Sequence, residues 1–212
     1  MQIKSYISSN CVIDDGIVYK NGKAVFENRE AGVQDFLQSV YQHFGIKYPK
    51  FYKMDNLSKL GWLAAEILLK DNFDAGEYKP EDVGLILANA NSSLDTDIRY
   101  YETAKEIASP SLFVYTLPNI MTGEICIRHN FKGENAFFIF EKFDAGFIQE
   151  YVNNLLNNNN LQACICGWVE LLEDQYKAVL FLVEKTTGAE MAMPSNIFTI
   201  ENILKIYQLE NG

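Results

Sequence analysis

The segment "DVGLILANA", Asp82 to Ala90, restricts the fold more than any other stretch of the chain. It is a near-continuous apolar run of strand length, and a strand without a polar face has to be covered on both sides. Helical patterns elsewhere supply the cover. In "AGVQDFLQSVYQHFG", Val33, Phe36, Leu37, Val40 and Phe44 recur at helical spacing and Gly45 closes the turn. A second stripe, Leu57, Leu60, Leu63, Ala64, Ile67 and Leu68, follows Asp55, a good N-cap.

The remaining patterns alternate in the same way. "IKSYISSNCVI" reads as a first strand and "DDGIVYKNGKAVF" as a polar turn or hairpin with Gly16 and Gly22. "DTDIRYYETAKEI" reads as a helix, and Pro118 and Gly123 divide "SPSLFVYTLPNIMTGEICIRHNF" into a loop and a helix. "NAFFIFEK", "QACICGWVEL" and "AVLFLVEK" have strand character; "AGFIQEYVNNLLNNN" and "TIENILKIYQ" are helical, with Asn157 to Asn160 as a helix stop and turn. Together they predict one α/β domain over residues 1–212: a mixed, mostly parallel sheet covered by helices. Its last strand should be antiparallel, because only the tight turn "LEDQYK" precedes it.

Charge narrows the ligands. With 18 basic against 28 acidic residues the chain carries −10, which would repel a phosphate backbone and argues against nucleic acid. One local exception, "KYPKFYKMDNLSK", gathers Lys47, Lys50, Lys53 and Lys59 around a single acid, Asp55. No apolar run reaches the ~18 residues of a membrane-spanning helix, and the start does not look like a signal peptide, so a cytoplasmic protein is expected. Cys11, Cys126, Cys164 and Cys166 follow no disulfide or zinc pattern; Cys164 and Cys166, two apart on a strand, would share one face as reduced core thiols. His43 and His129 are the only histidines, which leaves little material for a metal site or histidine catalysis, and no cofactor is implied.

The chemistry-bearing stretch is "NAFFIFEKFDAG", Asn135 to Gly146. It has the outline of a buried strand running into a helix, yet Glu141 and Lys142 stand at the junction. A lysine there could act as a Schiff-base nucleophile if burial lowered its pKa. No matching acid, base or carbonyl-binding motif accompanies it, and Glu141 offers a simple charge partner, so Lys142 is read as structural or interfacial. Asp144 is placed to cap the following helix.

Three segments, "KMDNLSKLGWLAAEILLKD", "DVGLILANANSSLDTDIRYYE" and "SPSLFVYTLPNIMTGEICIRHNFKGEN", together resemble the N-terminal half of a beta-ketoacyl-acyl-carrier-protein synthase of the thiolase fold. The most specific part is "LPNIMTGEICIRHNFKGEN", similar to that family's Leu-Pro-Asn, small-residue helix, Ile-Arg and Lys-Gly-x-Asn signature. The resemblance runs from about Lys53 to Lys185 and implies a single copy of the family's repeated half-fold. In that family the strand after Lys-Gly-x-Asn ends in the nucleophilic cysteine, at the N-terminus of the next helix. Lys132, Gly133 and Asn135 keep the approach, but the landing position holds Lys142 or Phe143, depending on whether one residue is inserted before Ala145 and Gly146. No cysteine, serine or threonine lies between Asn135 and Gly146. The family's two catalytic histidines come from its second half, and neither His43 nor His129 matches them.

The resemblance therefore implies a truncated, non-catalytic ketosynthase-like protein. Its expected role is that of an accessory or chain-length-type partner in fatty acid or polyketide-type biosynthesis, as a dimer with itself or with a full-length ketosynthase. Phe137, Phe138, Phe140, Lys142 and Phe143 would lie at the dimer interface. Lys47, Lys50, Lys53 and Lys59 are a candidate patch for an acidic acyl carrier protein. Two other expectations stay open: a 3-oxoacyl-carrier-protein synthase or acyltransferase activity completed across a heterodimer, and a homodimer that binds an acyl group or carrier without reaction.

Overall fold

Side chains of the central strands alternate between two apolar layers, and that alternation builds the molecule. In a computed structural model, which describes residues 5–158, 160–185 and 196–209, Leu85 and Leu87 face one layer while Ile86 and Ala88 face the other. Both belong to strand β4 (Val83–Asn89), buried along its whole length as its uninterrupted apolar run requires.

Seven strands form one sheet: β1 (Ser5–Asp14), β2 (Ile17–Lys20), β3 (Lys23–Glu27), β4, β5 (Asn135–Ile139), β6 (Ala163–Leu172) and β7 (Gln175–Lys185), in the spatial order β3-β2-β1-β7-β6-β4-β5. The first layer is covered by α1 (Val33–His43), α2 (Asn56–Leu69) and α5 (Asn119–His129), the second by α6 (Ala145–Asn157) and α7 (Ile200–Tyr207). Two further helices, α3 (Leu94–Ala104) and α4 (Pro110–Phe113), connect β4 to α5. The expected α/β layered architecture is present, and β7 is antiparallel to both neighbours.

The sheet is mixed, but its balance differs from the expectation of mostly parallel pairing. Only β4 with β5 and β4 with β6 pair in parallel; the other four pairings are antiparallel. The cause is the placement of β7, which inserts between β6 and β1 and so separates strands that point the same way, together with the β1–β2–β3 meander at the far edge. Two smaller differences concern single elements. Gly123 does not divide a loop from a helix but lies inside α5, where burial of Met121, Thr122 and Ile125 outweighs the roughly 1 kcal/mol cost of a helical glycine. In the asparagine run α6 ends at Asn157, and Asn159 lies outside the described residues.

Asp55 caps α2 as expected, its Oδ1 accepting the Ser58 N–H at 3.0 Å, and its Oδ2 also accepts the Thr96 hydroxyl at 2.6 Å. The carboxylate thus ties α2 to α3. Burial raises its pKa above the ordinary aspartate value, and the hydrogen bonds from Ser58 and Thr96 only partly offset that. A raised carboxyl pKa means stability that is present at low pH and lost as pH rises through the folded value. Asp55→Asn, which keeps the cap and can donate to Thr96 Oγ1, is expected to be more stable than the parent at neutral pH, with the margin closing on acidification. Asp55→Ala should lose about 1–2 kcal/mol through the missing cap. Denaturant titrations from pH 4 to 8 check both signs, and a parent that gains stability with rising pH relative to Asp55→Asn would contradict this.

Candidate functional site

Parallel strands β4 and β5 end side by side, and the loop that leaves β5 leads directly into α6. The N–H of Phe140 donates to Asn89 O at 3.0 Å, holding the two strand ends together. Behind them the Lys132-Gly133-x-Asn135 approach has a steric reason: Gly133 N–H donates to Val83 O, and a Cβ on residue 133 would lie 2.5 Å from that oxygen. Only glycine lets the chain enter β5 so close to β4.

After β5 the chain turns through Glu141, Lys142 and Phe143 into α6. Glu141 and Lys142 are both exposed, and no ion pair joins them among the described residues, so the expected Glu141–Lys142 charge pair does not form. Phe143 turns inward: it is 9% exposed, stacks on Tyr207 at 4.4 Å and meets Trp168 edge-on at 5.9 Å. Asp144 caps α6 as expected, its Oδ1 accepting the Phe147 N–H at 2.9 Å. A carboxylate therefore sits at the helix end where free N–H groups and the dipole favour negative charge.

The strand itself is not buried. β5 is the edge of the sheet, and its residues are half-buried or exposed, with Ile139 at 48%. An apolar run reads as buried in sequence, but its three aromatics are used differently. Phe138 and Phe140 pack with Phe147 and Tyr151 of α6, whereas Phe137 faces the opposite layer. Leu85 N–H donates to Glu134 O and Phe140 N–H to Asn89 O, so alternate residues turn their amides toward β4 and Phe137 and Ile139 turn theirs outward.

Glu170 was not signalled by any motif, yet it organises this end of the sheet. From β6 its carboxylate accepts the N–H groups of Ala90 (2.6 Å) and Asn91 (3.3 Å) and the Asn91 side-chain amide (3.1 Å). Asn89 brackets Ser92 in turn, through Ser92 N–H to Oδ1 at 2.9 Å and Nδ2 to Ser92 O at 2.8 Å. The only sequence hint was one acid within the apolar strand "GWVELL".

The other candidate residues lie apart from the junction. Lys47 and Lys53 are exposed, but Lys50 Nζ is 2.8 Å from Glu124 Oε2, and Lys59 lies 5.7 Å from the Phe51 ring with its pKa lowered by burial and then by Arg99. His129 stacks on Phe131 and lies 2.9 Å from Glu66, at the start of β5 rather than its end; His43 packs against Phe26 and Phe44. Cys164 and Cys166 share the buried face expected of them, and burial pushes the thiols of Cys11, Cys126, Cys164 and Cys166 up, to about 12 for Cys11 and about 11 for Cys126. Among the described residues no group of side chains could hold a metal ion, and no helix is long and apolar enough to cross a membrane.

No family model matches the sequence, and no curated protein matches it. Its likeness to known proteins lies in structure. The ishigamide ketosynthase/chain length factor superposes with a TM-score of 0.63 at 15% identity, over 88% of this chain and 63% of that one. A ketosynthase in complex with its chain length factor from Xenorhabdus doucetiae gives 0.58 at 11% identity, over 99% of this chain and 92% of the other. A type II polyketide synthase complex of acyl carrier protein with its ketosynthase bound to the hexaketide gives 0.60 at 14%, over 87% and 63%. The chain thus spans 63% of the length of two of these relatives. At such identities the likeness is one of architecture: the chain has the ketosynthase-like, thiolase-type fold.

Proposed function

We propose that this chain is a non-catalytic ketosynthase-like subunit that pairs with a full-length ketosynthase in fatty acid or polyketide-type biosynthesis. The observation that carries the reading is the β5–α6 junction. Condensation by a ketosynthase-type site needs an accessible thiolate at that helix N-terminus. The junction instead presents an exposed Lys142, an inward Phe143 and the capping carboxylate of Asp144. None of the four cysteines substitutes, since three are buried in the core and burial raises the thiol of Cys126 as well.

Pairing is supported by the open edge of β5 and by the structural neighbours, among them a ketosynthase/chain length factor and a ketosynthase in complex with its chain length factor. The interface expected at Phe137, Phe138, Phe140, Lys142 and Phe143 narrows to the outward side of β5, because Phe143 is used inside the chain. For an acidic carrier protein, Lys47 and Lys53 are the usable part of the basic stretch, Lys50 being committed to Glu124.

Incubation with an acyl-pantetheine thioester followed by intact mass measurement tests the absence of chemistry. No adduct is expected on the parent chain or on Lys142→Ala, whose spectra should coincide. A stable acyl adduct on Lys142 or on any cysteine would overturn the reading in favour of acyl transfer.

A further inference from the structure

A cavity of about 350 Å³ opens where the C-terminal ends of α1, α2 and α5 come together, and no residue of the β5–α6 junction lines it. Its walls are apolar. Phe44 and Ile46 follow α1, Ile67 and Leu69 belong to α2, and Phe73 comes from the loop after α2. Phe44, Ile46 and Phe73 are half-buried, so they present ring and aliphatic surface to the open space. The volume falls within the ~300–1,000 Å³ of small-molecule sites, whose usual lining is apolar with a few convergent polar groups.

Four titratable side chains line the same space, Glu66, Lys70, Asp71 and His129, and their charges are not evenly matched. Glu66 is held by Arg128, with Nε 3.0 Å from Oε1 and Nη2 3.3 Å from Oε2, and His129 Nε2 lies 2.9 Å from Oε1. The charge of Asp71 acts on the Lys20 amine, which itself donates to Lys70 O. Lys70 is the exception: its Nζ lies 5.5 Å over the Phe44 ring, and it forms no ion pair among the described residues. The carbonyls at the end of α2 do not call for this cation either. Leu68 O accepts the Ser9 hydroxyl at 3.1 Å, and Leu69 O accepts the N–H groups of Asn72 and Phe73 at 3.2 and 3.1 Å. One unmatched positive charge therefore stands at an apolar wall, in a chain of charge −10.

We infer that this cavity is a binding site for a small organic carboxylate with an apolar body. The body lies against Phe44, Ile67 and Phe73, and the carboxylate meets the Lys70 ammonium in a charge-assisted hydrogen bond. An amine of the same shape would set its charge beside Lys70 while Glu66 is already occupied by Arg128 and His129, so the site selects the anion. The assignment stands apart from the proposed pairing, since none of the interface residues named above lines the cavity.

The probe is 3-phenylpropanoate, titrated into the full chain by calorimetry, with 3-phenylpropan-1-amine as the charge-reversed control. Saturable one-to-one binding of the carboxylate is expected, with the amine weaker by about 10-fold or more. Lys70→Gln, at an exposed position, should weaken the carboxylate by about 10-fold with an unchanged melting temperature. Ala75→Trp, also at an exposed lining position, fills the mouth and should abolish binding, whereas Lys205→Gln on α7, across the sheet, should bind like the parent. Absence of saturable binding by the parent, tighter binding of the amine, or parental affinity in Lys70→Gln would each overturn the assignment. If Ala75→Trp does not fold, the Lys70→Gln result decides.

Discussion

Replacing Ile139 with proline is expected to cost the proposed complex with a ketosynthase about 100-fold in affinity while leaving the isolated chain folded. The reason lies in the direction of one amide. Residues 134 and 140 bond to β4, so residue 139 points its N–H to the open edge, where a partner strand would accept it. Proline removes that donor and crowds the incoming strand, but it leaves the β4–β5 ladder intact, as edge positions allow. One lost hydrogen bond plus a steric clash amounts to roughly 2–3 kcal/mol, which is the factor of about 100. Ala136→Pro is the contrasting case, because the residue-136 amide turns toward β4 and its loss should lower the melting temperature. Affinity measured by titration alongside thermal melts separates the two. Ile139→Pro binding at parental strength would remove the β5 edge from the interface.

Gly167→Ala is expected to produce the largest loss of stability in the chain. Gly167 lies in β6 between Leu87 of β4 and Leu180 of β7, with φ of +149°. A Cβ at this position would sit 2.0 Å from Val179 O and 3.1 Å from Leu180 Cα. Both obstacles are backbone in the middle of the sheet, so they cannot move without breaking the β6–β7 ladder. A cost of about 4 kcal/mol or more is expected, a large share of the ~5–15 kcal/mol that typically holds a domain. Urea titration should show a large fall in midpoint or a protein that does not fold. A well-folded variant within about 1 kcal/mol of the parent would show that the sheet is not built as described.

Periodicity made most of the elements readable. The apolar run of β4, the stripe from Leu57 to Leu68 and the capping acids Asp55 and Asp144 each carry a local physical cause, and each appears where that cause places it. Strand order is a different kind of information. Nothing local in "NAFFIFEK" distinguishes an edge strand from a central one, because its aromatics serve α6 on one side and the opposite layer on the other. The strained Gly167 was hidden for the same reason: its need depends on Val179, twelve residues away across a turn.

At the junction the legible part was a missing residue type. The absence of cysteine, serine and threonine from Asn135 to Gly146 is visible in the sequence alone. What Phe143 does there was not visible, since Trp168 and Tyr207 come from distant elements. Glu170 was unreadable on similar grounds. A lone strand acid has many uses, and only the packed structure shows which backbone amides the acid holds.

Native mass spectrometry of the assembly captured from the source cell decides whether this chain is a ketosynthase partner. A complex of this chain with a full-length ketosynthase that retains its own nucleophilic cysteine is expected. Recovery of the chain alone, or at twice its own mass with no ketosynthase, would contradict it.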